Sequence, residues 1–457
     1  MKGRSSWSHA PYRPFLTDVG DPYLCRIAPS ETSVRLEWLG DGVCEVFFRV
    51  SGEGEFLRHG SSDRGEYLLT DLAPDTDYEI YLQRGEDRSR IRLARTGYVP
   101  GTVVNYLHPR DTAYAFSGRY LCSPSLLKHP DGYLLASMDV YAGQHPQNLT
   151  LIFRSDDGGK TWRYQTEVMP CFWGKLFLHK GEVFLLAVDT EYGDLLIGKS
   201  SDGGKTFGTP TVLLRGANGK NGSSGVHKNP QNLLIHKGRI YNTLEWGSWK
   251  NKEYGHAAMV MSCDLKDDLT VAENWAFTPP MPFRPQWEGC EGLPANTMTI
   301  EGTLALSPDG RLLNLMRFGK RGFVLAYEVD TDDPHAPLKF HRLIEMPTTY
   351  SKFTVRYDEV SRRYYSVVCR LHEGCPDNAR NLLSLIRSED LIHWEVVTDL
   401  LDYRQEDPGQ VGFQYVDFLF DGEDLLYLCR TAFNGASNFH DSNYSTFHRL
   451  TDFRSLQ

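Results

Sequence analysis

Three acids and then three arginines stand at corresponding points of a pattern that recurs along this 457-residue chain: Asp139, Asp189 and Glu245, followed by Arg317, Arg370 and Arg430. Each closes an apolar run that follows a turn. One charge at a strand end needs no explanation beyond staying wet. The division into an acidic and a basic half asks for more. Three guanidiniums that converge on one cavity repel one another unless they hold an anion, and the arginine fork matches a carboxylate bidentately. Asp139 and Glu245 have the chemistry of a proton donor to a leaving oxygen paired with a base or nucleophile. His227 is the best neutral base for a proton next to a carboxylate, and Tyr415 is the next; cations on the carboxylate would lower that proton's pKa.

A second set of candidates stands just before the same turns. It comprises Ser123, Trp173 with Lys175, His227 with Asn229, Glu301, Lys352 with Arg356, and Gln414 with Tyr415 and Asp417. Trp173, Trp246 and Trp249 have the flat apolar faces on which sugars stack. Gly219–Gly225 approaches His227 and reads as a mobile rim loop. His440–Asp441 reads as a hydrogen-bonded pair in preference to a metal site.

The elements that carry these residues are strands. The turns are Asp131-Gly132, Lys180-Gly181, Lys237-Gly238, Asp309-Gly310, Ser361-Arg362 and Asp421-Gly422. An apolar strand follows each one. Six turns predict an all-β chain with a six-bladed β-propeller of four-stranded sheets, or seven blades if the irregular segment 264–300 hides another sheet. The last sheet lacks an obvious fourth strand, which 102–106 can supply and so close the ring. If the first strand of each blade runs to the turn and the second returns, first-strand starts and second-strand ends share one face. That face gathers both candidate sets.

Ser155-Asp156-Asp157-Gly158-Gly159-Lys160-Thr161-Trp162 returns 45 positions later as Ser200-Ser201-Asp202-Gly203-Gly204-Lys205-Thr206-Phe207. Ser388-Glu389-Asp390-Leu391-Ile392-His393-Trp394 is a degenerate third copy. Asp and Gly make the tight turn and the aromatic folds back as a plug. These turns fall on the face away from the candidates. Residues 1–97 form an amino-terminal arm and a small β-sandwich. Alternating strands surround Trp38 there, and a Pro74 turn leads into the Tyr78 strand.

The net charge of −10 argues against nucleic acid or an anionic membrane as a partner. An acidic sugar remains compatible, through a local basic pocket. The chain starts without an apolar signal region, so a cytoplasmic location is expected unless a leader was removed. Nine scattered cysteines read as buried free thiols. No metal spacing and no cofactor motif appears; a structural Ca²⁺ in the central channel stays open. The oligomeric state is not fixed by the sequence.

The repeated turns resemble the Asp-box of the sialidase-like (BNR) propellers. That resemblance puts Arg317 and Arg370 where the second and third sialidase arginines fall, Glu301 where the sialidase Glu lies, and Tyr415 near the nucleophile. The first arginine belongs to an Arg-Ile-Pro-x-Leu motif, which here reads Cys122-Ser123-Pro124-Ser125-Leu126, a departure that counts against a true sialidase. The module around Tyr78 is similar to fibronectin type III domains. A closer resemblance rests on Tyr120–Leu126, Gly225–Pro230, Ala257–Ser262, Gly412–Asp417 and His440–Tyr444. These look like the propellers that cleave rhamnose–glucuronate linkages, either as hydrolases using one histidine or as lyases using a His or Tyr base. The resemblance implies catalysis by His227, Tyr415, Asp139, Glu245 and Glu301. It implies binding of an oligosaccharide with an acidic sugar through Arg317, Arg370, Arg430, Trp173, Lys175, Asn229, Lys352, Gln414 and His440. An exo-α-sialidase or related 2-keto-sugar hydrolase is the alternative enzyme, and a non-catalytic glycan-binding propeller is the alternative of another class.

Overall fold

The computed structural model describes residues 20–217 and 222–456. The amino-terminal arm before residue 20, and part of the glycine-rich approach to His227, lie outside the described residues.

The described residues are almost wholly β. Two antiparallel sheets form first. One contains Tyr23–Pro29, Val34–Leu39 and Glu66–Leu69; the other is built on Cys44–Val50 and Asp77–Arg84. Alternation puts Leu24, Ile27, Val34, Leu36, Trp38, Val46 and Ile80 into one shared core. The Ala73 amide donates to the Tyr78 hydroxyl at 2.9 Å, which pins the chain as it enters the Asp77–Arg84 strand. This module leans on the rest through charge-assisted bonds. Arg26 donates to the Val103 and Val104 carbonyls, and buried Arg92 pairs with Asp111 at 2.6 Å.

Six more antiparallel sheets follow: sheet 1 (120–168), sheet 2 (172–214), sheet 3 (225–282), sheet 4 (299–345), sheet 5 (355–402) and sheet 6 (412–450). Each turn between the first two strands carries a left-handed residue, namely Gly132, Gly181, Gly238, Gly310, Arg362 and Gly422. The segment 264–300 adds Trp275–Phe277 and Met281–Pro282 to sheet 3 and makes no sheet of its own. Thr102–Tyr106 pairs with Tyr444–Leu450 and supplies the fourth strand of sheet 6, as expected from the sequence. An apolar layer fills the space between each pair of neighbouring sheets. The last layer sets Leu426, Leu428 and Phe447 of sheet 6 against Leu134, Phe153 and Trp162 of sheet 1, so the sheets close into a ring.

The Asp-box turns hold themselves with side chains. Asp157 accepts from the Thr161 amide at 2.9 Å and its hydroxyl at 2.6 Å, and Asp202 does the same with Thr206 at the same distances. The Trp162 indole donates to the Gly159 carbonyl at 3.1 Å, and Trp394 donates to Leu391 at the same distance. A Cβ at Gly159 would stand 2.0 Å from the Phe447 ring, so this turn requires glycine. All nine cysteines are free and buried.

Candidate active site

Four first strands break register in the same way: between Cys122 and Ser125, Phe172 and Lys175, Ile300 and Thr303, and Gln414 and Asp417. Inside each bulge one non-glycine residue is left-handed. These are Ser123 at φ 53°, Trp173 at 53°, Glu301 at 56° and Tyr415 at 57°. Such a conformation costs on the order of 1–3 kcal/mol and clusters where a side chain must be re-aimed. The residues beyond the bulge tie the ring together. Asp417 accepts the Leu126 amide at 2.7 Å, Ser125 accepts Leu176 at 3.0 Å, and Thr303 accepts Val355 at 3.3 Å.

Two of the four bulge residues meet. The Tyr415 hydroxyl donates to Glu301 Oε1 at 2.6 Å. Arg317 Nη1 donates to Glu301 Oε2 at 2.6 Å and to the Tyr415 oxygen at 3.0 Å. Burial pushes the Tyr415 phenol up to about 12. Burial also acts against the Glu301 carboxylate, but the Arg317 guanidinium beside it outweighs burial and holds the acid below its ordinary range. Glu301 is thus an anion that accepts one hydrogen bond from a cation and one from a tyrosine hydroxyl.

Two further guanidiniums face the Tyr415 ring: Arg430 at 5.1 Å and Arg380 at 5.7 Å from its centroid. Both are buried, and Arg380 Nε and Nη1 have no hydrogen-bond partner among the described residues. Burial draws Arg380 down to about 10. Arg370 does not join them. Its guanidinium is held by both oxygens of Asp399 and by Ser384, so Arg380 stands in the cluster where the repeat pattern pointed to Arg370. Arg380 lies outside any strand, just before Leu382–Ser388, which is why strand-end positions did not reveal it.

His227 and Glu245 form a second centre. His227 Nδ1 lies 2.7 Å from Glu245 Oε2, and Glu245 Oε1 accepts the Gly302 amide at 3.3 Å, next to Glu301. A carboxylate at Nδ1 fixes the proton there and leaves Nε2 with its lone pair. Trp173 packs edge-on at 4.5 Å from the His227 ring, His256 lies at 4.9 Å, and Trp249, 53% exposed, lies at 6.2 Å. The Tyr192 hydroxyl lies 3.1 Å from His256 Nε2, and burial draws His256 down to about 2, which keeps it neutral. Tyr192 and His256 were not among the sequence candidates.

The remaining candidates divide. Asp139 is buried, accepts from the Thr150 hydroxyl at 2.5 Å and the Trp173 amide at 2.7 Å, and is pushed up to about 7 by burial. It positions the Trp173 bulge. Asp189 accepts the Asp194 amide at 2.8 Å. Lys175 pairs with Asp417 at 2.5 Å, Lys352 donates to Thr354 at 3.1 Å, and Asn229 is 1% exposed, so all three are buried. Gln414 donates to the Phe439 carbonyl at 2.6 Å. His440 Nδ1 lies 2.9 Å from Asp441, and burial, with Arg430, draws His440 down to about 4. Among the described residues no three His, Cys, Asp or Glu side chains converge as a ligand set.

No protein-family model matches the sequence, and no curated protein matches it. Solved structures do. An α-L-arabinanase of Penicillium chrysogenum, complexed with arabinobiose, is similar at a TM-score of 0.50 and 16% identity over 79% of this chain and 99% of its own. A Hadza microbial sialidase is similar at 0.52 and 13% identity over 96% of this chain and 92% of its own. An α-L-arabinofuranosidase of Fusarium graminearum, with an iminosugar inhibitor, is similar at 0.50 and 14% identity over 77% and 99%. The likeness is one of fold: an all-β ring of propeller type shared with these carbohydrate-active enzymes.

Proposed function

We propose that this chain is an exo-acting carbohydrate-active enzyme, built on six propeller blades, that cleaves a glycosidic bond at or next to a sugar bearing a carboxylate. The observation that carries the reading is the convergence of Arg317, Arg380 and Arg430 around the Tyr415–Glu301 pair. Burying that much positive charge is costly without an anion to receive it. The unpaired Arg380 nitrogens suit a carboxylate fork.

The substrate we favour is a rhamnose–uronate linkage. In an eliminating reaction His227 Nε2 takes the uronate C5 proton. The released electron pair forms the C4–C5 double bond, the C4–O bond breaks, and the departing oxygen takes its proton from Tyr415. The guanidiniums stabilise the charge that develops on the uronate carboxylate. Trp173 and Trp249 offer stacking faces beside His227.

A second reading has its own observation. The 2.6 Å Tyr415–Glu301 bond is the arrangement of a tyrosine nucleophile with its base, and Arg380 supplies a third arginine that Ser123 does not. On that reading the chain hydrolyses a sialoside or a related 2-keto sugar. The amino-terminal module (1–97) is a docking unit of fibronectin type III type on either reading, supported by the Tyr78 bond to Ala73.

One experiment separates the readings. The full chain is incubated with a panel of uronate-capped and sialic-acid-capped oligosaccharides, and products are followed by ultraviolet absorbance and mass. An unsaturated uronate that absorbs, lost in His227→Ala with folding intact, is expected. Release of free sialic acid moves the assignment to the second reading. Binding of the panel without turnover makes the chain a glycan-binding propeller.

A further inference from the structure

Beneath the arginine cluster lies a second concentration of charge that the proposed reaction does not use. Lys175, Lys228 and Lys352 are 3%, 0% and 1% exposed. They come from three different sectors of the ring: the first strand of sheet 2, the segment after Gly225–His227, and the segment before sheet 5. Lys228 lies within electrostatic reach of both other ammoniums. Arg356 joins them, with one nitrogen 3.5 Å from Asp417.

The partners do not balance this charge. Asp417 takes Lys175 at 2.5 Å. Lys228 Nζ reaches two carbonyls, those of Trp173 and Asn229, each at 3.1 Å, and Lys352 Nζ reaches the Thr354 hydroxyl at 3.1 Å. Asp139 is the other acid near Lys228, and Glu301 is already bound to Arg317. Four cations (Lys175, Lys228, Lys352, Arg356) thus face two carboxylates (Asp417, Asp139). Three more groups in the same region hold atoms without a hydrogen-bond partner among the described residues: both amide atoms of Asn229, which is 1% exposed, Arg356 Nε, and Asp417 Oδ1, the last facing Arg356 at 3.5 Å. Buried ions are paired in folded proteins, and buried polar atoms without a partner mark a bound water or ion. Burial, and after it the ammonium of Lys175, draws Lys228 down to about 7, and burial draws Lys352 down to about 8. Both are the response expected of ammoniums held without a counter-ion.

We propose that the ring binds a small monovalent inorganic anion of the halide class among Lys175, Lys228 and Lys352, as a fixed counter-ion that completes the core beneath the active site. The three lysines make no hydrogen bond to Glu301, Tyr415 or the arginines around them, so the proposal does not depend on the proposed reaction. A bound anion would hold all three lysines charged and fix the bulge at Trp173, whose carbonyl Lys228 grips.

The test uses the wild-type full chain. Crystals are soaked in sodium bromide and examined at the bromine absorption edge. An anomalous peak bounded by the three Nζ atoms is expected. Bromide peaks confined to the surface overturn the proposal. In parallel, thermal unfolding is measured in sodium chloride and in sodium gluconate at equal ionic strength, because gluconate is too large for a buried site. A saturable chloride-specific rise in Tm of about 2 °C or more is expected. It should vanish in Lys352→Met, whose folding is checked by circular dichroism. Equal midpoints in the two salts for the wild type overturn the proposal even if that variant fails to fold.

Discussion

Tyr415 donates its phenolic hydrogen to Glu301 across 2.6 Å, and both residues occupy a left-handed bulge on the first strand of their own sheet. The two are 114 positions apart in the chain. What joins them is repetition: sheets 4 and 6 make the same bulge and aim the same position into the ring. Arg317 spans both oxygens and fixes the proton's direction. A tyrosine pushed up to about 12 by burial does not ionise at neutral pH, so it serves as a proton donor or as a nucleophile only with Glu301 to receive the hydrogen.

Tyr415→Phe tests this pair. It removes one hydroxyl and leaves the ring against Arg380 and Arg430. Turnover of the best substrate in the panel should fall by about 10²–10⁴-fold, with KM changed little. The lost bond to a charged acceptor should cost about 1–3 kcal/mol of stability. Steady-state kinetics and a denaturant titration measure both. Undiminished turnover would remove Tyr415 from the chemistry.

Arg380 and Arg370 make an opposed pair of variants. Arg380→Met deletes a buried cation with two unpaired nitrogens, so folding should be unharmed or improved. KM for an anionic substrate should rise about 10–100-fold, the worth of one charged bond to a carboxylate. Arg370→Met breaks a pair with Asp399 whose side chains are 21% and 28% exposed. It should cost about 1–3 kcal/mol, because the fork bonds both Asp399 oxygens, and leave KM unchanged. A reversed result would return the clamp to Arg370.

The contrast between these arginines shows how far the sequence could be read. Turn chemistry is local, so Gly132, Gly181, Gly238, Gly310 and Gly422 marked the hairpins, and Asp157 and Asp202 marked the box turns. The closing strand Thr102–Tyr106 was legible because a ring leaves no edge unpaired. Glu301 and Tyr415 were legible because they open the first strands of their repeats, and Arg317 because it closes a second strand. Arg380 was not, since it stands in a connection that follows no repeat. Lys175 and Lys352 looked like site residues by the same positional logic, yet both are buried in the ring: Lys175 leaves its bulge toward Asp417, and Lys352 stands ahead of the unbulged Val355–Asp358 strand. Which way a side chain leaves a bulge depends on a left-handed angle that non-glycine residues give no sign of adopting.

Asp139 gives a pH prediction. Burial raises its folded pKa to about 7, above the ordinary value of about 3.9 in the unfolded chain. Between those values the folded state holds the proton and the unfolded state does not. The stabilisation from this group is therefore full below about pH 4 and is lost as pH rises through about 7. Asp139→Asn keeps an acceptor for the Trp173 amide and cannot ionise. The variant should lose that part of the pH dependence and exceed the wild type in stability at pH 8 by a few kcal/mol, since each tenfold change in proton affinity is worth about 1.36 kcal/mol. Urea titrations of both proteins at pH 5 and pH 8 check it. Parallel pH profiles for the two would show that Asp139 is ionised throughout.

Glu245→Gln addresses how His227 is held. In the wild type the carboxylate takes the Nδ1 proton at 2.7 Å and the Gly302 amide at 3.3 Å. The glutamine carbonyl can still serve Gly302, but its NH₂ then faces Nδ1 and favours the tautomer protonated at Nε2. A base with its lone pair turned away cannot take the C5 proton. Turnover should fall by about 10²–10⁴-fold, close to the loss in His227→Ala, with substrate binding retained. The double variant should be no worse than either single one, because both remove the same event. A merely structural role for Glu245 would instead lower stability and leave the ring's tautomer unchanged. Nitrogen-15 chemical shifts of the His227 ring report the tautomer directly: a proton on Nδ1 in the wild type and on Nε2 in Glu245→Gln is the expected pair of results. A switch of the proton to Nε2 with turnover intact would show that His227 is not the base.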